Sequence, residues 1–269
     1  MDARGLVSEA ILDALAVLLP VECAGCGAAD RGICAACRGA LTLPDRAGRH
    51  LLRAPGAKSG GDGLPLWFAV AYDGVPKQIL HALKEAGRLD GARPLGPLLG
   101  VAVADAVEVV EPRLPTGARL ETLVVPSSRS AFRLRGYNPV ESLLRWAGPQ
   151  PLRGTGLRYR RSPRDQATLG ADERWANLSG SIEAVSGRLE GRHLLLIDDV
   201  VTTGATLLEC RRAAEAGGAS VWGAAALAHT AKVKRTNSEL HGDLVSPQVY
   251  GGGKGAESNR PRLGRRVLD

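Results

Sequence analysis

The stretch from Leu194 to Leu207 constrains the fold of this chain more than any other segment. It reads LLLIDDVVTTGATL, so four buried-type apolar residues are followed by two carboxylates, a hydroxyl-rich loop with one glycine, and a helical pattern. A short apolar run of this kind is typical of a buried parallel strand, and the carboxyl ends of such strands are where open α/β sheets bind ligands. The segment therefore predicts a strand, a ligand-binding loop and a helix in that order.

The chemistry of this loop favours a phosphorylated sugar. Backbone N–H groups at a helix start attract anions, and Gly204 lets the backbone approach a phosphate closely. Hydroxyl donors come from Thr202, Thr203 and Thr206. The carboxylates of Asp198 and Asp199 would repel the phosphate, so ribose hydroxyls and a divalent cation are their natural partners. The alternative is that the loop binds no ligand, with one threonine that only caps the helix beside two solvated carboxylates.

Further elements predict an α/β domain with a parallel sheet. The expected strands are 67–72, 120–125, 193–197 and 221–228, and the expected helices are 78–86, 95–110 and 205–216. The domain is expected to span 66–230, after a linker over 44–65 that is rich in Gly and Pro. We expect a disordered tail over 231–269, where the chain is polar and Gly-rich.

Four of the five cysteines lie in one short segment, with the spacing C-x2-C-x7-C-x2-C. They are Cys23, Cys26, Cys34 and Cys37. Paired CxxC turns can present four thiolates to one ion, so the pattern predicts a structural zinc site in a module over residues 1–43. Two disulfides or four free thiols are the alternatives. Cys210 stands apart and is expected to be a core residue.

The apolar pattern of residues 6–19 recurs at helical spacing and is interrupted by Asp13, which favours an amphipathic helix over a signal peptide. No apolar run reaches about 18 residues, so we expect no membrane insertion and a cytoplasmic protein. The formal net charge is +7, yet the nine arginines from Arg129 to Arg164 face one acid, Glu141. This segment predicts an anionic partner.

The string from Leu194 to Thr206 resembles the phosphoribosyl pyrophosphate (PRPP) motif of type I phosphoribosyltransferases. With the cysteine module ahead of it, the chain resembles the ComF family of competence-associated, phosphoribosyltransferase-like proteins, from about residue 20 to 230. Three further stretches match that family's pattern. They are Ile79–Lys84, the pair Leu123–Ser128 and Arg135–Asn138, and the trio Gln166, Arg174 and Asn177. Val124 and Pro139 depart from the pattern.

The resemblance implies a type I phosphoribosyltransferase-like open parallel sheet flanked by helices. It also implies that Asp198 and Asp199 hold the ribose hydroxyls and that Mg²⁺ accompanies the pyrophosphate. The implied PRPP-binding residues are Asp198, Asp199, Val200, Thr202, Thr203, Gly204, Ala205 and Thr206, with Ser127, Ser128 and Arg129 on the pyrophosphate side. Asp198, Asp199, Arg135 and Lys84 are the implied catalytic residues, the last two as cations that neutralise the departing pyrophosphate.

Two functions remain open at this stage. The first is an enzyme that transfers phosphoribose from PRPP to an acceptor the sequence does not identify, in competence or DNA uptake. The second is a non-catalytic PRPP-sensing module that binds single-stranded DNA or competence proteins. The arginine-rich segment favours the second, with the aromatic rings of Tyr137, Trp146, Tyr159 and Trp175 as candidates for base stacking.

Overall fold

The structure is a computed structural model that describes residues 21–29, 31–54, 63–148, 156–160 and 178–230. All of them belong to one compact unit, Met1–Lys232. The predicted helix before residue 20, the predicted tail after residue 230, Trp175, and the trio Gln166, Arg174 and Asn177 lie outside the described residues.

A five-stranded sheet in the described part of the chain confirms the α/β fold. Its order is β1-β2-β7-β6-β3, and all neighbours are parallel except β1 and β2. The strands are β1 (Gly48–Leu52), β2 (Leu64–Ala71), β3 (Leu120–Val124), β6 (His193–Val201) and β7 (Ser220–His229). A separate antiparallel hairpin consists of β4 (Leu157–Tyr159) and β5 (Ile182–Ala184).

Six α-helices that lie wholly within the described ranges accompany these strands, together with two 3-10 helices, Leu89–Gly91 and Glu111–Arg113. The α-helices are α1 (Ala35–Gly39), α2 (Gly74–Glu85), α3 (Ala92–Val110), α4 (Arg129–Arg135), α5 (Pro139–Ala147) and α6 (Ala205–Ala216). The helices α2, α4 and α6 each follow the carboxyl end of a parallel strand. Since those ends meet at one edge of the sheet, the loops after β2, β3 and β6 form a common rim there.

The sheet separates two buried clusters because successive strand residues point to opposite faces. Leu195 and Ile197 of β6 join the cluster that contains residues of α2, α3 and α5. Leu194 and Leu196 join the cluster that contains residues of α6 and the β4–β5 hairpin. The central strand β7 contributes mainly buried alanines to both clusters. The sheet is therefore covered on both faces, as expected of a parallel sheet.

The predicted linker over 44–65 is wrong for Gly48–Leu52, which form the edge strand β1 paired with β2. Long-range contacts, rather than a local apolar pattern, hold this strand. Asp105 on α3 accepts a hydrogen bond from the backbone N–H of Ala47 at 2.6 Å and pairs with Arg46 at 3.0 Å. Leu52 is buried.

The strand β6 extends further than its apolar run predicts. Pairing with β7 continues through Asp198 to Val201, so both aspartates lie inside the strand instead of following it. Both carboxylates have backbone donors within the strand. The carboxylate of Asp198 accepts a hydrogen bond from the N–H of Asp199 at 2.8 Å, and that of Asp199 accepts one from the N–H of Val200 at 2.6 Å. The helix α6 begins at Ala205 and ends at Ala216, as predicted.

Candidate functional site

The two aspartates of β6 face different surroundings. Asp199 is buried, and its Oδ1 lies 2.8 Å from Nζ of Lys84 on α2. Asp198 is half-buried, and its charge acts on Tyr159 of the hairpin and on Cys210 of α6, which lie with the other cluster. The strand alternation thus sends neighbouring carboxylates toward opposite faces of the sheet.

Asp198 has an unusual protonation equilibrium. Desolvation of its carboxylate and the adjacent charge of Asp199 raise the pKa of Asp198 to about 7, although Lys84 acts in the opposite direction. Burial would lower the pKa of Lys84, but the charges of Asp199 and Asp198 raise it above its ordinary value. Near neutral pH, Lys84 is therefore protonated, and the carboxyl group of Asp198 is only partly ionised.

The loop after β6 contains a backbone position that suits glycine. Gly204 has a φ of 77° and is the N-cap of α6, where it makes no side-chain capping hydrogen bond. The Oγ1 of Thr203 accepts a long hydrogen bond from the N–H of Ala205 at 3.4 Å. The side chain of Leu52 lies against Gly204, so that a Cβ there would be 2.7 Å from Leu52 Cδ2. Val200, Thr202 and Thr206 complete this segment.

The neighbouring rim segment follows β3. The N–H of Val125 donates to the carbonyl of Ile197, which ties this segment to β6, and Asn138 Nδ2 donates to the carbonyl of Val125 at 3.2 Å. Ser128 caps α4 by accepting from the N–H of Ala131 at 3.2 Å. Ser127 is half-buried, whereas Arg129 is exposed and makes no ion pair with any described residue.

Arg135 is held at the end of α2 instead of pointing freely into solvent. Its guanidinium lies 3.5 Å from Glu85, only 17% of its side chain is exposed, and its Nε has no hydrogen-bond partner among the described residues. The hydroxyl of Tyr137 donates to the carbonyl of Leu83. The segment Arg135–Asn138, called the RGYN segment below, is thereby bound to the last turn of α2, which also carries Lys84.

The structure brings together all four predicted metal ligands. One sulfur atom from each of Cys23, Cys26, Cys34 and Cys37 lies within 4.8 Å of the others, and none forms a disulfide. The Sγ atoms of Cys26 and Cys34 are 3.7 Å apart. A tetrahedral ion with Zn–S bonds of about 2.3 Å requires sulfurs about 3.8 Å apart, so this donor set fits zinc.

Backbone N–H groups donate hydrogen bonds to the cysteine cluster and favour the thiolate form that binds an ion. Sγ of Cys23 accepts from the N–H groups of Cys34 at 3.3 Å and of Gly25 at 3.4 Å. Burial opposes ionisation of Cys23, yet these donors lower its pKa to about 6. Burial and the neighbouring thiols raise the pKa of Cys37 far above its usual range. A cation is what would allow all four thiols to ionise together.

Some contacts of this region have no signal in the sequence. The position of Leu52 against Gly204, in the loop after β6, depends on the edge strand β1. Arg88 donates to the carbonyls of Glu22 and Gly32 in the cysteine segment, although nothing around it suggests a role. Of the aromatic residues proposed for stacking, Trp146 is exposed. Phe132 on α4 is equally exposed, although no sequence pattern indicates it.

Comparisons with known proteins add one relative. No protein-family model matches the chain. The chain is similar to a protein of Escherichia coli O157:H7 named DNA utilization protein YhgH, with 31% identity over 137 residues. The matched region is 49% of this chain and 57% of that protein, so it spans a little over half the length of the relative. Separately, none of the helices in the described ranges has the length and apolarity to cross a membrane.

The zinc assignment predicts metal content that depends on the cluster alone. We expect purified protein to carry one zinc ion per chain by elemental analysis, and Cys37→Ser to lose it because three thiolates hold the ion less tightly. Cys210→Ala is the matched control, since this fifth cysteine is buried between α6 and the sheet. Zinc retained in full by Cys37→Ser would contradict the assignment.

The raised pKa of Asp198 predicts that stability falls with pH. Between the ordinary aspartate pKa of about 3.9 and about 7, the folded chain keeps a proton that the unfolded chain releases. Raising the pH through this window therefore favours unfolding. Urea unfolding from pH 5 to pH 7.5 should show this decline in the wild type and a flatter profile in Asp198→Asn. The exposed Asp45→Asn should behave as wild type, and an equally steep profile in Asp198→Asn would contradict the assignment.

Proposed function

We propose that the rim formed by the loops after β3 and β6 binds PRPP together with Mg²⁺, and that the chain is a phosphoribosyltransferase-type protein of the ComF family. The observation that carries this proposal is the segment from Asp198 to Thr206. There, a half-buried and a buried carboxylate precede a threonine-rich turn and an N-cap glycine with positive φ. Such a segment offers acceptors for sugar hydroxyls and backbone donors for a phosphate.

In this proposal the 5′-phosphate lies against the first turn of α6. The N–H groups of Thr203 to Thr206 would donate to it. Gly204, the N-cap, has no side chain to compete for these donors, and the hydrogen bond from the N–H of Ala205 to Thr203 Oγ1 is long, at 3.4 Å. Asp198 and Asp199 would accept from the ribose hydroxyls. Asp198 is half-buried and Asp199 is buried, and such a setting strengthens these hydrogen bonds because competing water is reduced.

Two arginines of the rim, Arg129 and Arg135, would bind the pyrophosphate. Arg129 is exposed without an ion-pair partner among the described residues, and Arg135 has a buried Nε with no hydrogen-bond partner among them. In the transfer, an acceptor nucleophile would form a bond to the anomeric carbon while the bond to pyrophosphate breaks, and the leaving group would take the electron pair. Mg²⁺ and the arginines would neutralise that charge.

Lys84 takes a different role from the one the resemblance implies. Because its ammonium group is engaged by Asp199 at 2.8 Å, we assign it to holding that carboxylate in place instead of neutralising pyrophosphate. Removing one partner of a largely buried pair costs on the order of 3 kcal/mol, since the other charge is left uncompensated. Lys84 is therefore a positioning residue for Asp199.

Calorimetric titration of PRPP with Mg²⁺ tests the proposal. We expect the wild type to bind and the double variant Asp198→Asn/Asp199→Asn to lose most of the affinity, because the amides cannot replace two anionic acceptors and the cation's counter-charge. Asp45→Asn, an exposed aspartate without a described ion pair, should bind as the wild type does. No binding by a folded wild type would contradict the proposal.

A second candidate function, binding of single-stranded nucleic acid, is favoured by the surface of α4. This helix exposes Phe132 (49%) and Leu134 (80%), and its exposed arginines Arg129 and Arg133 form no ion pair with described residues. Arginines can follow a phosphate backbone, and an exposed aromatic ring can stack on a base. The relative named for DNA utilization is consistent with this candidate.

Fluorescence anisotropy with a labelled single-stranded oligonucleotide tests this second candidate. We expect binding that weakens steeply between 50 and 200 mM salt, a loss of about tenfold in Phe132→Ala, and a smaller salt dependence in Arg133→Gln. Arg119→Gln is the matched control, because Arg119 is exposed and precedes β3 at the opposite edge of the sheet. Absence of binding at low salt would exclude this function.

A further inference from the structure

Arg88 joins the cysteine cluster to the end of α2. Its Nη1 donates to the carbonyl of Glu22 at 2.9 Å, and its Nη2 donates to the carbonyl of Gly32 at 3.0 Å. These carbonyls stand next to each half of the cluster, one directly before Cys23 and the other two residues before Cys34. One guanidinium therefore bridges the two CxxC halves.

The guanidinium is itself held firmly. Asp90 accepts from its Nε at 3.0 Å and from its Nη2 at 2.8 Å, so the planar group is fixed in orientation. The backbone N–H of Arg88 donates to the carbonyl of Ala82 after a turn at Gly87 with φ of 67°. Arg88 is thus part of the capping structure of α2 and not a free surface side chain.

The same last turn of α2 carries the contact to the candidate site. Lys84, four residues before Arg88, lies 2.8 Å from the carboxylate of Asp199. The carbonyl of Leu83 accepts from the hydroxyl of Tyr137 in the rim segment. A displacement of this turn would therefore move the cation that fixes Asp199 and the anchor of the RGYN segment together.

The cluster also packs directly on α2 and the turn after it. A Cβ on Gly25 would be 2.7 Å from Sγ of Cys37 and 3.3 Å from Cγ1 of Val75, in the first turn of α2. A Cβ on Gly32 would clash with Oδ2 of Asp90. Cys23, Ile33 and Cys37 belong to the same buried cluster as Leu83. The cysteine segment thus contacts the first turn of α2 and the turn that follows the helix.

We propose that Arg88 is a positioning residue through which a metal ion at the cysteine cluster and a ligand at Asp199 stabilise one another. An ion that orders the two CxxC halves fixes the carbonyls that Arg88 binds, and so fixes the turn that carries Lys84. Because coupling between two binding sites is reciprocal, the ligand must in turn tighten the hold on the metal. This inference rests on the proposed function, in that PRPP with Mg²⁺ is the ligand.

Competition for zinc with a chromophoric chelator measures the coupling. In the zinc-loaded full chain, PRPP with Mg²⁺ should raise the zinc affinity about fivefold or more, the lower range of allosteric coupling. In Arg88→Gln this effect should be lost while PRPP binding persists in weakened form. Arg88→Lys should also lose it, because an ammonium cannot bridge both carbonyls in the planar manner of a guanidinium. Arg119→Gln should keep the wild-type effect.

Two results would overturn the inference. One is a wild type that binds PRPP by calorimetry with no change in its zinc affinity. The other is Arg88→Gln that remains folded and retains the full effect. If the Arg88 variants do not fold, the wild-type comparison of zinc affinity with and without PRPP still decides the question.

Hydrogen exchange without ligand separates this inference from the proposed function. Zinc-loaded wild type should protect the amides of Ala86 and Arg88, and those of Asp199 and Val200, more than zinc-depleted wild type does. If PRPP fails to bind but this protection pattern appears, the proposed function is wrong, while the structural connection from the cysteine cluster to Asp199 stands. If zinc changes exchange only within residues 21–40, the coupling is wrong whether or not PRPP binds.

Discussion

The ion pair between Lys84 and Asp199 is the interaction on which the candidate site depends. It joins the end of α2 to the end of β6, two elements separated by more than a hundred residues of chain, at 2.8 Å. A carboxylate as buried as Asp199 needs a partner, because an uncompensated charge in a protein interior is costly. The pair therefore fixes which carboxylate is held by the protein and which, Asp198, has a variable proton.

The last turn of α2 connects three parts of the molecule. It presents Lys84 to β6, accepts the Tyr137 hydroxyl at the rim, and continues into Arg88, which binds the cysteine segment. The cysteine cluster is consequently part of the main core, since Cys23 and Cys37 share a buried core with α2 and α3. The cysteine cluster and the candidate site are separated in sequence, but both contact α2 or the turn that follows it.

The sequence predicts the helix after β6 and the cysteine cluster well, and the tertiary contacts that support them poorly. The helix α6 and the cysteine cluster follow from local patterns, a glycine ahead of a helical repeat and two CxxC turns, which need no distant partner. The strand β1 does not follow from the sequence, because it depends on pairing with β2 and on Asp105. The resemblance indicates Lys84, but its pairing with Asp199 and the hydrogen bonds of Arg88 are tertiary contacts that no local pattern encodes.

A crystal structure of the chain grown with PRPP and Mg²⁺ tests the central claim most directly. The account predicts the 5′-phosphate on the backbone N–H groups of Thr203 to Thr206, the ribose hydroxyls at Asp198 and Asp199, and Lys84 still paired with Asp199. Ligand bound at another surface, with the loop after β6 holding no phosphate at saturating PRPP, would contradict it.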